Sequence, residues 1–373
     1  MIYLDYTANM PAAREALNAF VEAEARFPGN PNAHHAAGRE AAAYLRDVTE
    51  GTAALLGVRP EEIIFTSGAS ESNSTAILGL AYAARHIGRH ILTTPLEHAS
   101  VSGCLTFLQE QGYEVDVLHT DRQGRLDLDE LNELLRPDTV LLTLCAVDSE
   151  LGIPQPVREA RELLSAHPQC RLHVDATQAP GKMAFDYTLA DTVSLSAHKF
   201  GGLNGSGLLI KKSGVAMEPL IHGGVSSTLY RSGTPAVALA ASLRTALSIT
   251  QERLDERLDT VRALNARLRK ALAARPGITV YSPENAVPHI LNLGVSGIRG
   301  SAMRDKLDRR GICVSVKSAC SVENTPSRAV YALTGQRRAA LEAFRVSLSH
   351  QTTEEEIARL IEAIDEIRTE STI

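Results

Sequence analysis

The sequence predicts an α/β protein built on a largely parallel sheet, followed by a smaller α+β unit. Three observations carry that expectation. Short β-branched runs alternate with helical patterns through the middle of the chain. Two of those runs end in residues with chemistry, Asp175 in one and Ser196, His198 and Lys199 in the other, as strands do where ligands meet the carboxyl edge of a parallel sheet. The length of 373 residues suits two or three domains, at roughly 150 residues each.

The elements follow in order. Residues 62–66 read as a strand, and a helix is expected from about 70 to 86. Further strand-like runs lie at 90–94, 114–119, 139–147, 171–175, 192–196 and 207–211. A long helix is expected over 235–275, where Leu239, Leu243, Leu247, Leu254, Leu258, Val261, Leu264, Leu268 and Leu272 fall near helical spacing before Pro276 and Gly277 stop it. Shorter strands at 290–293, 313–316 and 344–348 then alternate with helices. Thr353 and Glu356 form a capping box, and Ile357, Leu360, Ile361, Ile364 and Ile367 make the apolar stripe of a closing helix. These aliphatic residues read as core. The pattern change places a large unit at residues 12–250 and a small one at 251–373, with the N-terminal segment 1–11 packing near the latter.

Composition removes several classes. A net charge of −6 argues against a nucleic-acid-binding surface. No apolar run approaches the roughly 18 residues of a membrane helix, and the start has no secretory pattern. The five cysteines, Cys104, Cys145, Cys170, Cys313 and Cys320, are scattered and odd in number. That suits neither a disulfide framework nor a metal site, and a reducing, cytoplasmic compartment is expected.

The segments His173-Val174-Asp175-Ala176-Thr177-Gln178 and Ser196-Ala197-His198-Lys199 are the most informative. A lysine at a buried strand end is costly unless paired or covalently used, and an imine resolves that cost. Pyridoxal phosphate needs an imine lysine, a carboxylate at its pyridinium nitrogen and a phosphate cup. Lys199 and Asp175 supply the first two. Gly68, Ala69 and Ser70 open a helix after a strand and supply a candidate cup through backbone N–H groups and a hydroxyl.

On these residues the chain resembles the cysteine desulfurases, pyridoxal phosphate enzymes of aminotransferase class V, and within them the group with a Ser-Ala-Cys loop. Further matching segments are Tyr3 to Ala8, Gly29-Asn30-Pro31, Glu97-His98, His222-Gly223-Gly224, Arg231-Ser232-Gly233-Thr234, Ser318-Ala319-Cys320 and Arg345 to Leu348. The resemblance implies fold type I, with a mainly parallel seven-stranded sheet between helices, and a homodimer. It implies that Lys199 holds the cofactor as an imine and moves the Cα proton, that Asp175 pairs with the ring nitrogen, and that His98 stacks on the ring and shuttles protons. Gln178 would meet the ring's phenolic oxygen. Ser70, Ser196 and His198 would hold the phosphate, with Thr234 reaching in from a second subunit. Arg345, and Ser149 beside it, would bind the substrate carboxylate. Cys320 would attack the sulfur of L-cysteine as a thiolate, leaving L-alanine and a persulfide for an acceptor protein. Iron–sulfur scaffolds, tRNA-modifying enzymes and cofactor biosynthesis all fit as destinations.

The pattern departs from the family around the substrate. Ala146-Val147-Asp148-Ser149-Glu150 replaces His-Val-Asn-Asn-Glu, Ser74 stands where asparagine is common, and Lys317 stands where glycine is typical. The Lys317 cation, close to Cys320 in sequence, is expected to favour the thiolate. These changes keep open a lyase or transaminase acting on another amino acid, including selenocysteine or cysteine sulfinate. A non-catalytic dimer is a third reading, opposed by the presence of both Lys199 and Asp175.

Overall fold

The computed structural model describes residues 1–317 and 325–370. At its centre is a seven-stranded sheet in the spatial order Ile63–Thr66, Gly207–Lys211, Thr192–Ser196, Arg171–Asp175, Thr139–Cys145, His90–Thr93, Glu114–Val117. Gly207–Lys211 runs antiparallel to both neighbours and every other pairing is parallel. Helices cover both faces, so the central strands are buried along their whole length.

Within Arg171–Asp175 and Thr192–Ser196 the side chains divide by face. Leu172, Val174, Val193 and Leu195 join one apolar core, as the two-residue period of a strand requires. The alternate positions His173, Asp175, Thr192 and Ser196 face the helix Ala69–Ala83, whose Ala76, Ile77 and Leu80 anchor it in a second core. The sheet therefore presents a polar line beneath the N-terminal end of that helix.

A second, three-stranded sheet sets Ile290–Val295 between Ala343–Ser347 and Ile278–Val280. Its core takes Leu291, Leu293, Phe344 and Val346 together with Ile357, Leu360, Ile364 and Ile367 of the closing helix. That helix carries the expected capping box, with Thr353 Oγ1 accepting from Glu356 N at 3.2 Å and Glu356 Oε2 accepting from Thr353 N at 3.0 Å. The start of the chain is pinned here. Ile2–Tyr3 pairs in parallel with Ile312–Cys313, Ser347 N donates to Leu4 O at 2.8 Å, and Leu4 lies in the same core.

Three expectations need correction. The long helix over 235–275 is two helices, Val237–Glu252 and Leu254–Ala273, parted at Arg253. The break lets one continuous leucine pattern serve two cores: Leu243 and Leu247 pack with the large sheet, Leu264 and Leu268 with the small one. The strand over 313–316 shrinks to Ile312–Cys313, because Ser315 pairs instead with Arg345. The run over 139–147 ends as a strand at Cys145. Two helices absent from the sequence reading, Arg14–Arg26 and Ala36–Leu56, share a core with the start of Val237–Glu252. Among the described residues no helix is long and apolar enough to cross a membrane, and no cluster of His, Cys, Asp or Glu could hold a metal ion.

Candidate active site

A cavity of about 380 Å³ opens where the carboxyl ends of Arg171–Asp175 and Thr192–Ser196 meet the start of the helix Ala69–Ala83. Gly68, Ala69, Ser70, His98, Ser149, Asp175, Gln178, Ser196, His198, Lys199 and Arg345 all line it. Of the described residues expected at the site, the structure leaves one apart. Thr234 is exposed and outside the cavity. Cys320 lies outside the described residues.

Lys199 sits on the turn that follows Thr192–Ser196. Its Nζ donates to the carbonyls of Thr7, at 3.0 Å, and Ala8, at 2.6 Å. The N-terminal segment thus holds the lysine through main-chain oxygens. Behind it Lys182 is buried, and its Nζ donates to Lys199 O at 3.3 Å. Burial, with help from the Lys199 and Arg345 charges, pushes the Lys182 ammonium down to about 7.

Asp175 closes its strand as a buried carboxylate. Oδ1 accepts from Thr177 N at 3.0 Å and Oδ2 from Asn73 Nδ2 at 2.8 Å. Asn73, which the sequence reading did not single out, also donates to Ser100 Oγ at 2.9 Å and meets His173 Nε2 at 3.1 Å. His98 caps the helix Ala99–Glu110, with Nδ1 accepting from Ser100 N at 3.1 Å. Burial lowers the His98 imidazole below its ordinary value. His198 pairs with Ser196 Oγ at 3.0 Å and is pushed down to about 4, first by burial and then by the Lys199 and Lys182 charges.

Arg345 projects from Ala343–Ser347 and is 1% exposed. Its Nη2 donates to Asp5 Oδ1 at 2.8 Å and its Nη1 to Ser149 O at 2.9 Å, while Nε is buried without a partner among the described residues. Asp5 is the second residue whose part the sequence reading passed over. Glu97, beside His98, is buried too. Its Oε1 accepts from Thr94 Oγ1 and Cys145 N, both at 2.8 Å, and burial pushes its carboxyl up to about 8. Lys317 Nζ donates to Thr325 O at 3.0 Å, so the two residues that flank positions 318–324 are bonded to one another. Both residues line a second cavity of about 670 Å³, which shares Leu96, His98 and Ser149 with the first.

The donor set fits pyridoxal phosphate. Gly68, Ala69 and Ser70 place the N-terminal end of a 15-residue helix on the cavity, a site that favours a dianion. Close approach of the strand Gly207–Lys211 keeps that end compact: a Cβ on Gly207 would stand 2.4 Å from Gly68 Cα. Gln178 donates through Nε2 to Thr7 O at 3.2 Å, and its buried Oε1 has no partner among the described residues. An acceptor carboxylate, an amine and an anion cradle therefore share one cavity of a size suited to a small cofactor.

The family model for aminotransferase class-V matches residues 2–360. The chain is 38% identical to a NifS/IcsS protein homolog of Lactobacillus delbrueckii subsp. bulgaricus, over 98% of this chain and 97% of that one. It is 32% identical to the cysteine desulfurase IscS of Dictyoglomus turgidum, over 98% and 94%. Among solved structures, a NifS-like protein superposes with a TM-score of 0.92 at 33% identity, covering 99% of both chains.

Proposed function

The chain belongs to the aminotransferase class-V family, and on that premise we propose that it is a pyridoxal phosphate-dependent cysteine desulfurase. The observation that carries the reading is the meeting of Lys199, Asp175, His98 and Arg345 in one cavity. The net reaction takes L-cysteine and the thiol of Cys320 to L-alanine and a Cys320 persulfide, which passes sulfur to an acceptor protein such as an iron–sulfur scaffold.

The cofactor, when bound, supplies an electron sink that weakens the bonds around the substrate Cα. Lys199 would hold it and would carry the Cα proton on Nζ. Asp175 would keep the ring nitrogen protonated, since a carboxylate in a buried site favours a cation beside it. Gly68, Ala69, Ser70, Ser196 and His198 would hold the phosphate, and Gln178 would meet the ring's phenolic oxygen. Arg345 offers a planar guanidinium to the substrate carboxylate, with Ser149 beside it. Cys320 is the sulfur acceptor because the reaction needs a thiolate nucleophile to take the sulfur of a substrate held by Arg345. Incubation with pyridoxal phosphate and L-cysteine tests this: alanine should appear together with one added sulfur atom on the Cys320 peptide. Protein that takes up the cofactor and releases no alanine would overturn it.

The exposed apolar residues Val225 and Leu229, 77% and 71% accessible, lie on the segment that ends at Thr234. They support a homodimer in which Thr234 completes the phosphate site of the second subunit. The separate cores support a large unit at 12–250 and a small one at 251–373, with 1–11 joined to the latter. Free thiols at Cys104, Cys145, Cys170 and Cys313 suit a reducing, cytoplasmic setting. Ser149 favours a second reading, a lyase or transaminase with another amino acid as substrate, because its short side chain leaves room in the cavity. A panel of amino acids separates the two.

A further inference from the structure

A directional chain of hydrogen bonds links the polar line of the sheet to His98. Asp175, when ionised, can only accept, so the Asn73 atom at 2.8 Å from Oδ2 is the amide nitrogen. Asn73 Oδ1 must then accept from His173 Nε2 at 3.1 Å. Burial holds His173 neutral, so its Nδ1 accepts from Thr192 Oγ1 at 2.9 Å. The second Asn73 N–H donates to Ser100 Oγ at 2.9 Å. Ser100 Oγ, having accepted, has its own hydrogen left for His98 Nδ1 at 2.9 Å. The Ser100 main-chain N–H points to the same Nδ1 at 3.1 Å.

We propose that Asn73 is a positioning residue: through Ser100 it fixes His98 as the neutral tautomer with its proton on Nε2, while it holds the Asp175 carboxylate with its other hydrogen. The proposal rests on reading the cavity as the cofactor site. Two donors at Nδ1 leave no room for a proton there. His98 therefore meets the cofactor and substrate as a hydrogen-bond donor through Nε2, and Lys199 is left as the base. One amide sets the orientation of both groups that flank the cofactor ring, and one substitution disturbs both.

The test uses the holoprotein carrying ¹⁵N-labelled histidine, with the His98 signals identified by their loss in His98→Gln. In the parent protein His98 should show an unprotonated Nδ1 and a protonated Nε2 near neutral pH. Asn73→Asp keeps the shape and reverses the polarity. Beside Asp175 the substituted carboxyl holds at most one proton, which the two carboxyl groups share, so none is left for Ser100, whose hydroxyl turns to it and away from His98. The His98 Nδ1 signal should then move toward the protonated value at the same pH. The turnover number should fall about tenfold with KM for L-cysteine little changed. Ser100→Ala, which breaks only the His98 limb, should shift the same signal by less and leave the cofactor absorbance unchanged. A protonated Nδ1 in the parent, or an unmoved Nδ1 in Asn73→Asp, overturns the proposal. The same signals are read in the chain without pyridoxal phosphate. A failure to take up the cofactor would thus sink the reading of the cavity while the tautomer is still decided.

Discussion

The guanidinium of Arg345 lies 2.8 Å from the carboxylate of Asp5, 340 residues earlier in the chain. The second Asp5 oxygen accepts from Ser315 Oγ at 2.8 Å, and Ser315 in turn pairs through its main chain with Arg345. The N-terminal strand, docked beside Ile312–Cys313, therefore delivers the counter-charge for a buried arginine at the site. It also delivers the Thr7 and Ala8 carbonyls that hold Lys199.

Asp5→Ala should hurt both stability and substrate binding. Removing one partner of a buried pair leaves the other charge uncompensated, at a cost of about 3 kcal/mol. The remaining bond to Ser149 O cannot fix a planar guanidinium alone. Urea unfolding should show the loss, and KM for L-cysteine should rise about tenfold. An unchanged KM would mean that Asp5 does not orient Arg345.

The strands of the large sheet were legible because their apolar runs are bounded by turn residues, and 171–175, 192–196 and 207–211 fall where they were expected. The residues that line the cavity were legible where they cluster at strand ends in sequence. The helix Arg14–Arg26 was not, since it buries only Ala16 and Ala23 and so lacks a stripe of large apolar side chains. The break at Arg253 left no trace, because the leucine spacing continues on both sides and no glycine or proline marks it. Asn73 and Asp5 each bond a partner at least 100 residues away, His173 and Arg345. Local spacing carries no signal of such pairings, and a polar residue in the first turns of a helix reads as surface.

Cys320→Ser and Lys199→Ala should separate sulfur transfer from cofactor attachment. The serine variant keeps every described residue that lines the cavity around Lys199 and should retain the visible absorbance of bound pyridoxal phosphate while transferring no sulfur. The alanine variant loses the amine itself and should lose both. Spectra and sulfide assays on the same preparations decide the matter. Undiminished sulfur release from Cys320→Ser would remove Cys320 as the nucleophile.

Glu97 gives a pH prediction. Burial pushes its carboxyl from 4.5 to about 8 in the folded chain. Between those values the folded state keeps a proton that the unfolded chain has lost, so raising the pH through this window weakens the fold. Below it both states are protonated and the penalty is absent. Glu97→Gln retains an oxygen for Thr94 and the Cys145 N–H and cannot ionise. Its melting temperature should match the parent at about pH 4 and exceed it at about pH 9. Equal melting temperatures at the higher pH would show that Glu97 ionises freely in the fold.

Gly207→Ala should weaken the phosphate cup specifically. The new Cβ would stand 2.4 Å from Gly68 Cα and 2.7 Å from its amide nitrogen, contacts that only a backbone shift relieves. Gly68 opens the helix whose first turn lines the cavity, so that shift moves the anion site itself. Overpacking of this kind costs about 1–3 kcal/mol. Where the strain falls on the cup, cofactor affinity should drop by roughly one to two powers of ten. Equilibrium dialysis against pyridoxal phosphate, and against pyridoxal without its phosphate, reads the effect. Affinity for the phosphorylated form should fall far more than affinity for pyridoxal. An equal fall for both would place the phosphate elsewhere in the cavity, away from Gly68.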